Sequence, residues 1–226
     1  MREIVLDTET TGLDPLAGHR VVEVGCIELI NTVATGKTFH AYFNPEMLMP
    51  AGAQDVHGLS DEFLADKPRF GERVEEFLEF VGDAQLVIHN AQFDIGFLNA
   101  ELERVGKGKL ANAYVDTVSM ARKKFPGQRA SLDALCERFS IDNSSRTKHG
   151  ALLDSELLAE VYLELSGGRQ RDLGLAPEMA ARVIAGLSLA GGSTIRPARP
   201  HAPSAAELEA HVAFLAKLSD PLWLKG

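Results

Sequence analysis

"MREIVLDTETTGLD" (residues 1–14) starts the chain on an apolar strand that runs into two carboxylates, Asp7 and Glu9. Side chains at i and i+2 of a strand point to the same face, so the two acids stand side by side at the strand's end. A single acid there marks only the approach to water. A pair repels itself unless something positive lies between. In open sheets, strand ends are also where sites gather.

The pattern recurs downstream. "VIHNAQFD" (87–94) is a buried strand ending in a polar turn that delivers Asp94 to the first turn of a helix, flanked by Phe93, Ile95 and Phe97. The helix dipole alone would favour an acid at that position. "RTKHGALLD" (146–154) puts His149 before the last strong helix and Asp154 near its start. Five residues on a regular helix turn two side chains about 140° apart. The pair can share a site only if His149 sits in the loop, where Gly150 permits a sharp entry. Each feature has a plain structural reading by itself; four carboxylates and a histidine, all at element ends, form a set. Asp116 in "YVDT" is left out of it, because an N-cap on the helix that follows explains it better.

Between these motifs the first half alternates. "EIVLDT", "RVVEVGCIELIN" and "KTFHAYFNP" read as strands, and "RFGERVEEFLEFVG" as a helix closed by Gly82. "AQLVIHN" and "AYVDT" are short strands, "SLDALCERF" is a helix capped by Ser131, and "GALLDSELLAEVYLEL" is an amphipathic helix stopped by Gly167 and Gly168. Three successive strands followed by alternating helices and strands predict an α/β fold, a mixed sheet flanked by helices, ending near residue 166. Beyond it, "GLSLAGGSTIRPARPHAPS" (186–204) has the texture of a flexible linker. A helix capped by Ser204 follows, with Leu208, Val212, Leu215 and Leu218 on one stripe, and then the chain's single tryptophan, Trp223. So short a helix is marginal alone in water, which favours a partner for this tail.

At 226 residues the chain fits one domain and an appendage, with 45% hydrophobic and 24% charged residues. A net charge of -9 argues against broad coating of nucleic acid, though not against gripping a strand end. Cys26 and Cys136 lack metal spacing and read as core thiols. No apolar run approaches membrane-spanning length and the N-terminus enters a strand pattern at once, so the chain is expected in the cytoplasm, away from membranes.

Four hard oxygen donors, without cysteines or paired histidines, suit Mg²⁺ or Mn²⁺ rather than Zn²⁺. Two such ions, roughly 3.5–4 Å apart, activate water and stabilise a leaving oxygen of a phosphodiester, while a histidine takes the water's proton. Divalent metal between Asp7 and Glu9 answers the question the first strand poses.

Together, "VLDTETTG", "VIHNAQFD" and "HGALLD" resemble the three motifs of the DEDDh 3′→5′ exonucleases, which share the RNase H-like fold. Across roughly residues 2–168 the likeness is close to the proofreading subunits of bacterial replicative polymerases, including "VHGLSDEFLADKP", "ARKKFPG" and "LLDSELLAEVYL". The resemblance implies a five-stranded mixed sheet and a two-metal site of Asp7, Glu9, Asp94 and Asp154, with Asp7 bridging the ions and His149 as general base. It implies that Asp7, Glu9, Thr10, Thr11, Gly12, His57, Phe93 and Asp154 contact the terminal nucleotide. Where the related subunits often carry an acid a few residues before His57, this chain has Gly52. "GGRQRDLGLA" resembles peptides that dock on the sliding clamp, with Gln170, Asp172, Leu173 and Leu175 as contacts. The tail, with Leu208, Val212, Leu215, Leu218 and Trp223, resembles the part that binds the polymerase (alpha) subunit. A small third core subunit often accompanies this family's exonuclease domain.

The expected organisation is therefore an exonuclease domain at 1–168, a clamp peptide at 169–176, a flexible linker at 177–204 and a polymerase-binding helix and tail at 205–226. The expected activity is 3′→5′ removal of 5′-mononucleotides from a DNA end. A stand-alone enzyme trimming RNA ends is the alternative within enzymes, against which the tail argues. A non-catalytic clamp–polymerase adaptor is the alternative outside them, against which the complete carboxylate set argues.

Overall fold

In the computed structural model, residues 1–168 and 202–217 are described. They belong to two compact units, taken separately below. The larger unit contains a sheet of β1 (Arg2–Thr10), β2 (Val21–Ile30), β3 (Val33–Tyr42), β4 (Gln85–Ile88) and β5 (Tyr114–Asp116), in the order β3-β2-β1-β4-β5. The strands β1, β2 and β3 pair antiparallel, whereas β4 runs parallel to both β1 and β5. The chain leaves β1 toward one side of the sheet and returns on its other side as β4. The carboxyl end of β1 therefore lies at the point where the strand order switches.

Alternation along β1 serves two cores. Ile4 and Leu6 pack with α3 (Phe70–Val81) and α4 (Ala91–Arg104). Val5 faces the opposite layer of α5 (Thr117–Lys124), α6 (Leu132–Phe139) and α7 (Ala151–Leu165). The apolar repeat of α3 buries Phe70, Val74, Phe77 and Val81, and Gly82 ends the helix as expected. Ser131 caps α6 and Asp116 caps α5, the latter through Val118 N–H at 2.9 Å.

Two features depart from the sequence reading. β3 begins at Val33, before the expected Lys37, because its first six residues are exposed and carry no buried alternation. Helices α1 (Ala51–His57) and α2 (Asp61–Leu64) occupy a stretch read without helices; they are too short for periodicity to reveal.

The smaller unit contributes α8 (Ala205–Leu215), whose start is fixed by Ser204 and Glu207 capping each other's backbone N–H groups. Among the described residues, no helix is long and apolar enough to cross a membrane.

Candidate active site

Asp7 and Glu9 lie on the Val5 face of β1, paired across the ladder with Gly25 and Glu23 of β2. Gly25 is what brings α7 to them. A Cβ there would stand 2.3 Å from the Ala151 carbonyl carbon, so only glycine lets the first turn of α7 rest on the sheet. Ser155 Oγ fastens the contact by donating to the Gly25 carbonyl at 3.0 Å. Asp154, in that first turn, is thereby set beside the strand acids.

Asp94 arrives from the other layer, in the first turn of α4. Asn90, in the left-handed region at φ 68°, turns the chain from β4 into that helix. Thr8 points to the α4 face, between the two acids in sequence, and its hydroxyl donates to Asp94 Oδ1 at 2.7 Å.

These groups line one cleft of about 250 Å³: Asp7, Glu9, Phe93, Asp94, His149 and Asp154, with Arg146 entering from the loop. Ligand atoms of Glu9, His149 and Asp154 all lie within 4.8 Å of one another. Burial, then the charges of Asp94, Glu9 and Asp154, raise the Asp7 carboxyl well above its ordinary range. Burial, then Glu23 facing it across the ladder, pushes Glu9 to about 8. Burial also pushes Asp94 to about 7, against the opposing hydrogen bond from Thr8. Asp154 differs. Its burial is outweighed by hydrogen bonds from Arg146 and His149, and its carboxyl is held below the usual range.

Arg146 lies in the quoted stretch before His149, where the motifs give it no role. Its Nε and Nη2 meet the two oxygens of Asp154, each at 2.6 Å, and Nη1 meets Asp133 at 2.7 Å. Nη2 also lies 2.7 Å from His149 Nδ1. Glu23, buried and bonded to His40 at 2.8 Å, is a second neighbour that the motifs did not flag. The sequence offered a signal for Thr8, its place between two candidate ligands, but none for Glu23.

His149 sits in the loop, as the spacing required. The backbone at Gly150 is extended, at φ -160°, a conformation open to any residue, so the entry does not need glycine. The loop is docked on α1 instead: His149 N–H donates to the Val56 carbonyl at 3.2 Å.

Among the expected nucleotide contacts, Phe93 lines the cleft and also packs on Phe97, with ring centroids 4.9 Å apart. Thr10, Thr11, Gly12 and His57 are not among the lining residues. Thr10 and Thr11 are buried where β1 ends. His57 is buried at the end of α1, where Nδ1 accepts from Leu59 N–H at 3.0 Å. Gly52 faces open space. Leu208, Val212 and Leu215 lie on α8, at the spacing of one helical face. The expected clamp contacts Gln170, Asp172, Leu173 and Leu175, together with Leu218 and Trp223, fall outside the described residues.

Solved structures share this architecture. The nuclease domain of 3′hExo, a DEDDh family member, superposes with a TM-score of 0.64 over 75% of this chain and 94% of its own, at 19% identity. A structure of exonuclease I gives a TM-score of 0.65, covering 81% of this chain and 43% of that one, at 18% identity. Sequence relatives are much nearer. The DNA polymerase III subunit epsilon of Rickettsia felis is 48% identical over 96% of this chain and 97% of its own length. The protein of the same name from Escherichia coli K12 is 51% identical over 74% of this chain and 72% of its own. The family profile described as exonuclease matches residues 4–162, a span that takes in all four carboxylates and His149, and the chain belongs to that exonuclease family.

Proposed function

We propose that the chain is a 3′→5′ DNA exonuclease that proofreads as a subunit of a replicative polymerase and releases 5′-mononucleotides. The observation that carries this reading is the convergence of Asp7, Glu9, Asp94, Asp154 and His149 on one cleft in a chain of the exonuclease family.

The donor set fits hard divalent cations. It consists of oxygen ligands that repel one another, and among the described residues Arg146 is the only lysine or arginine lining the cleft. Asp7, Glu9, Asp94 and Asp154 would hold two ions, with Asp7 shared between them. When bound, Mg²⁺ or Mn²⁺ stabilises charge on the phosphodiester oxygens and acidifies water toward neutral pH.

His149 takes the proton of the attacking water at Nε2. For that nitrogen to be free, the neutral ring must carry its proton on Nδ1, and Asp154 Oδ2, 3.2 Å away, is the acceptor that keeps it there. Arg146 can only donate, so its approach to Nδ1 favours the opposite tautomer. The working arrangement keeps the Asp154 contact and gives up the Arg146 one. The water oxygen bonds to phosphorus, the P–O3′ bond breaks, and the 3′ oxygen of the shortened strand gains a proton from solvent.

Backbone amides of Thr10 to Gly12 would meet the terminal sugar and base, with His57 nearby and Phe93 against the base. Selectivity for errors follows from fraying. A mismatched end unpairs at less cost and reaches the cleft more often. The names of the relatives support a polymerase complex; within it, in the cytoplasm, we assign residues 205–226 to the polymerase subunit, 177–204 to the linker and 169–176 to the clamp.

The test is degradation of 3′-labelled single-stranded DNA with Mg²⁺, beside an equivalent RNA, by the wild type and His149→Ala. Metal-dependent release of deoxynucleoside 5′-monophosphates, lost in the variant, is the expected result. Preference for RNA would replace this reading with RNA-end trimming, and inactivity on both would leave the adaptor.

A further inference from the structure

Glu101 takes no part in the carboxylate cleft, yet it is fully buried and gathers cations from two segments. Arg20 meets it with both arms of its fork, Nε to Oε1 at 2.6 Å and Nη2 to Oε2 at 2.9 Å. Arg104 adds Nη1 to Oε1 at 2.8 Å. Each arginine directs another N–H to a loop carbonyl. Arg20 reaches Pro45 at 3.2 Å, and Arg104 reaches Pro15 at 3.3 Å. One side chain on α4 thus ties down the β1–β2 connection and the loop after β3.

The tie runs straight into the Thr10–Gly12 turn. Arg20 N–H donates to Thr11 Oγ1, and Thr11 N–H donates back to the Arg20 carbonyl, both at 2.9 Å. His19, next to Arg20, covers Gly12 so closely that a Cβ there would lie 2.4 Å from its ring. The regular β1–β2 ladder gives the turn little help, because its register shifts between Glu9 and Thr10. Asp7 and Glu9, by contrast, remain inside that ladder, opposite Gly25 and Glu23.

We propose that Glu101, acting through Arg20, is the positioning residue of the Thr10–Gly12 turn and sets where the terminal nucleotide's sugar and base lie relative to Asp7 and Glu9. This rests on the exonuclease reading. The two arms of the guanidinium fix direction as well as charge. Lysine at position 20 keeps the charge but makes a point contact, so the segment stays anchored while its orientation loosens. The strand acids do not move with it. Nucleotide binding therefore weakens while the chemical step is preserved.

The experiment measures steady-state hydrolysis of single-stranded DNA and amide hydrogen exchange in the full chain, for the wild type, Arg20→Lys and Glu101→Gln. Arg20→Lys raises KM about tenfold with kcat held within about twofold, and the Thr11 amide exchanges faster while the amides of α4 keep their protection. Glu101→Gln, assayed below its own unfolding temperature, raises KM in the same direction. A merely structural pair would lower stability and kcat together and leave KM alone. That outcome, in an active wild type, overturns the assignment and leaves the exonuclease reading intact. A wild type that releases no nucleotide overturns both.

Discussion

Asp94 and Glu101 stand seven residues apart on one face of α4, both almost completely buried, at 1% and 0% exposure. Their surroundings are opposite. Glu101 receives N–H groups from Arg20, Arg104 and the Val21 backbone. Asp94 receives the Thr8 hydroxyl, helped by backbone N–H groups of Thr8 and its own residue, but no cation, and burial pushes its carboxyl to about 7. A buried charge must be paired or it neutralises. The chain provides full pairing for the acid that holds loops together, and pairs Asp154 with Arg146, but gives no cationic partner to Asp7, Glu9 or Asp94 among the described residues. On the proposed reading, that contrast separates a structural carboxylate from one left for a cation that comes from outside.

The largest effect that tests this contrast is on turnover. Replacing Asp7 and Glu9 together by alanine should lower mononucleotide release by about 10⁴-fold or more, with circular dichroism unchanged. The next is on stability and has opposite signs at the two sites. Glu101→Ala strands Arg20 and Arg104 and should cost about 3 kcal/mol in chemical denaturation, at the lower end for a broken buried pair, because the two arginines keep 20% and 33% side-chain exposure and can rehydrate. Asp94→Asn, in chelator near pH 8, should stabilise the fold, since it removes a charge that burial opposes. If Asp94→Asn destabilises as much as Glu101→Ala does, the distinction between the two acids is wrong.

The four acids and His149 were legible because each falls where an apolar element stops, and that break in pattern survives in a linear reading. The same rule gave the helix over 70–81 and the caps at Ser131 and Asp116. Arg146 was not legible. It lies in a loop without periodicity, and its partners Asp133 and Asp154 belong to two different helices. Glu101 was hidden for a related reason. Inside "NAELERVG" it reads as an ordinary solvated helical acid, and nothing local reveals that Arg20 reaches it from 81 residues away. Gly25 passed as one residue of a buried strand, although its missing side chain is what lets α7 approach. Gly150, credited with a turn, proved conformationally ordinary. Contacts made across the sheet decide such cases, and they carry no sequence signal.

The smallest effect is also the one most specific to the cleft. Glu9 at about 8 and Asp94 at about 7 are raised above their unfolded values, so in chelator the folded chain holds protons that the unfolded chain has already released. Their stabilising contribution is complete below the unfolded carboxylate range of about 4 and disappears as the pH climbs through 7 and 8. Asp154 has the opposite sign. Its depressed carboxyl adds stability that is lost only as the pH falls below the ordinary range, outside this window. The thermal midpoint in chelator should therefore decline between about pH 5 and pH 8. Adding Mg²⁺ or Mn²⁺ should reverse the decline, because bound cations take up the charge that the chain leaves unpaired, and Asp94→Asn should flatten it. A profile already flat in the wild type would mean that the cleft acids are ionised with partners the chain supplies, as Glu101 has, and the two ends of α4 would then differ only in geometry.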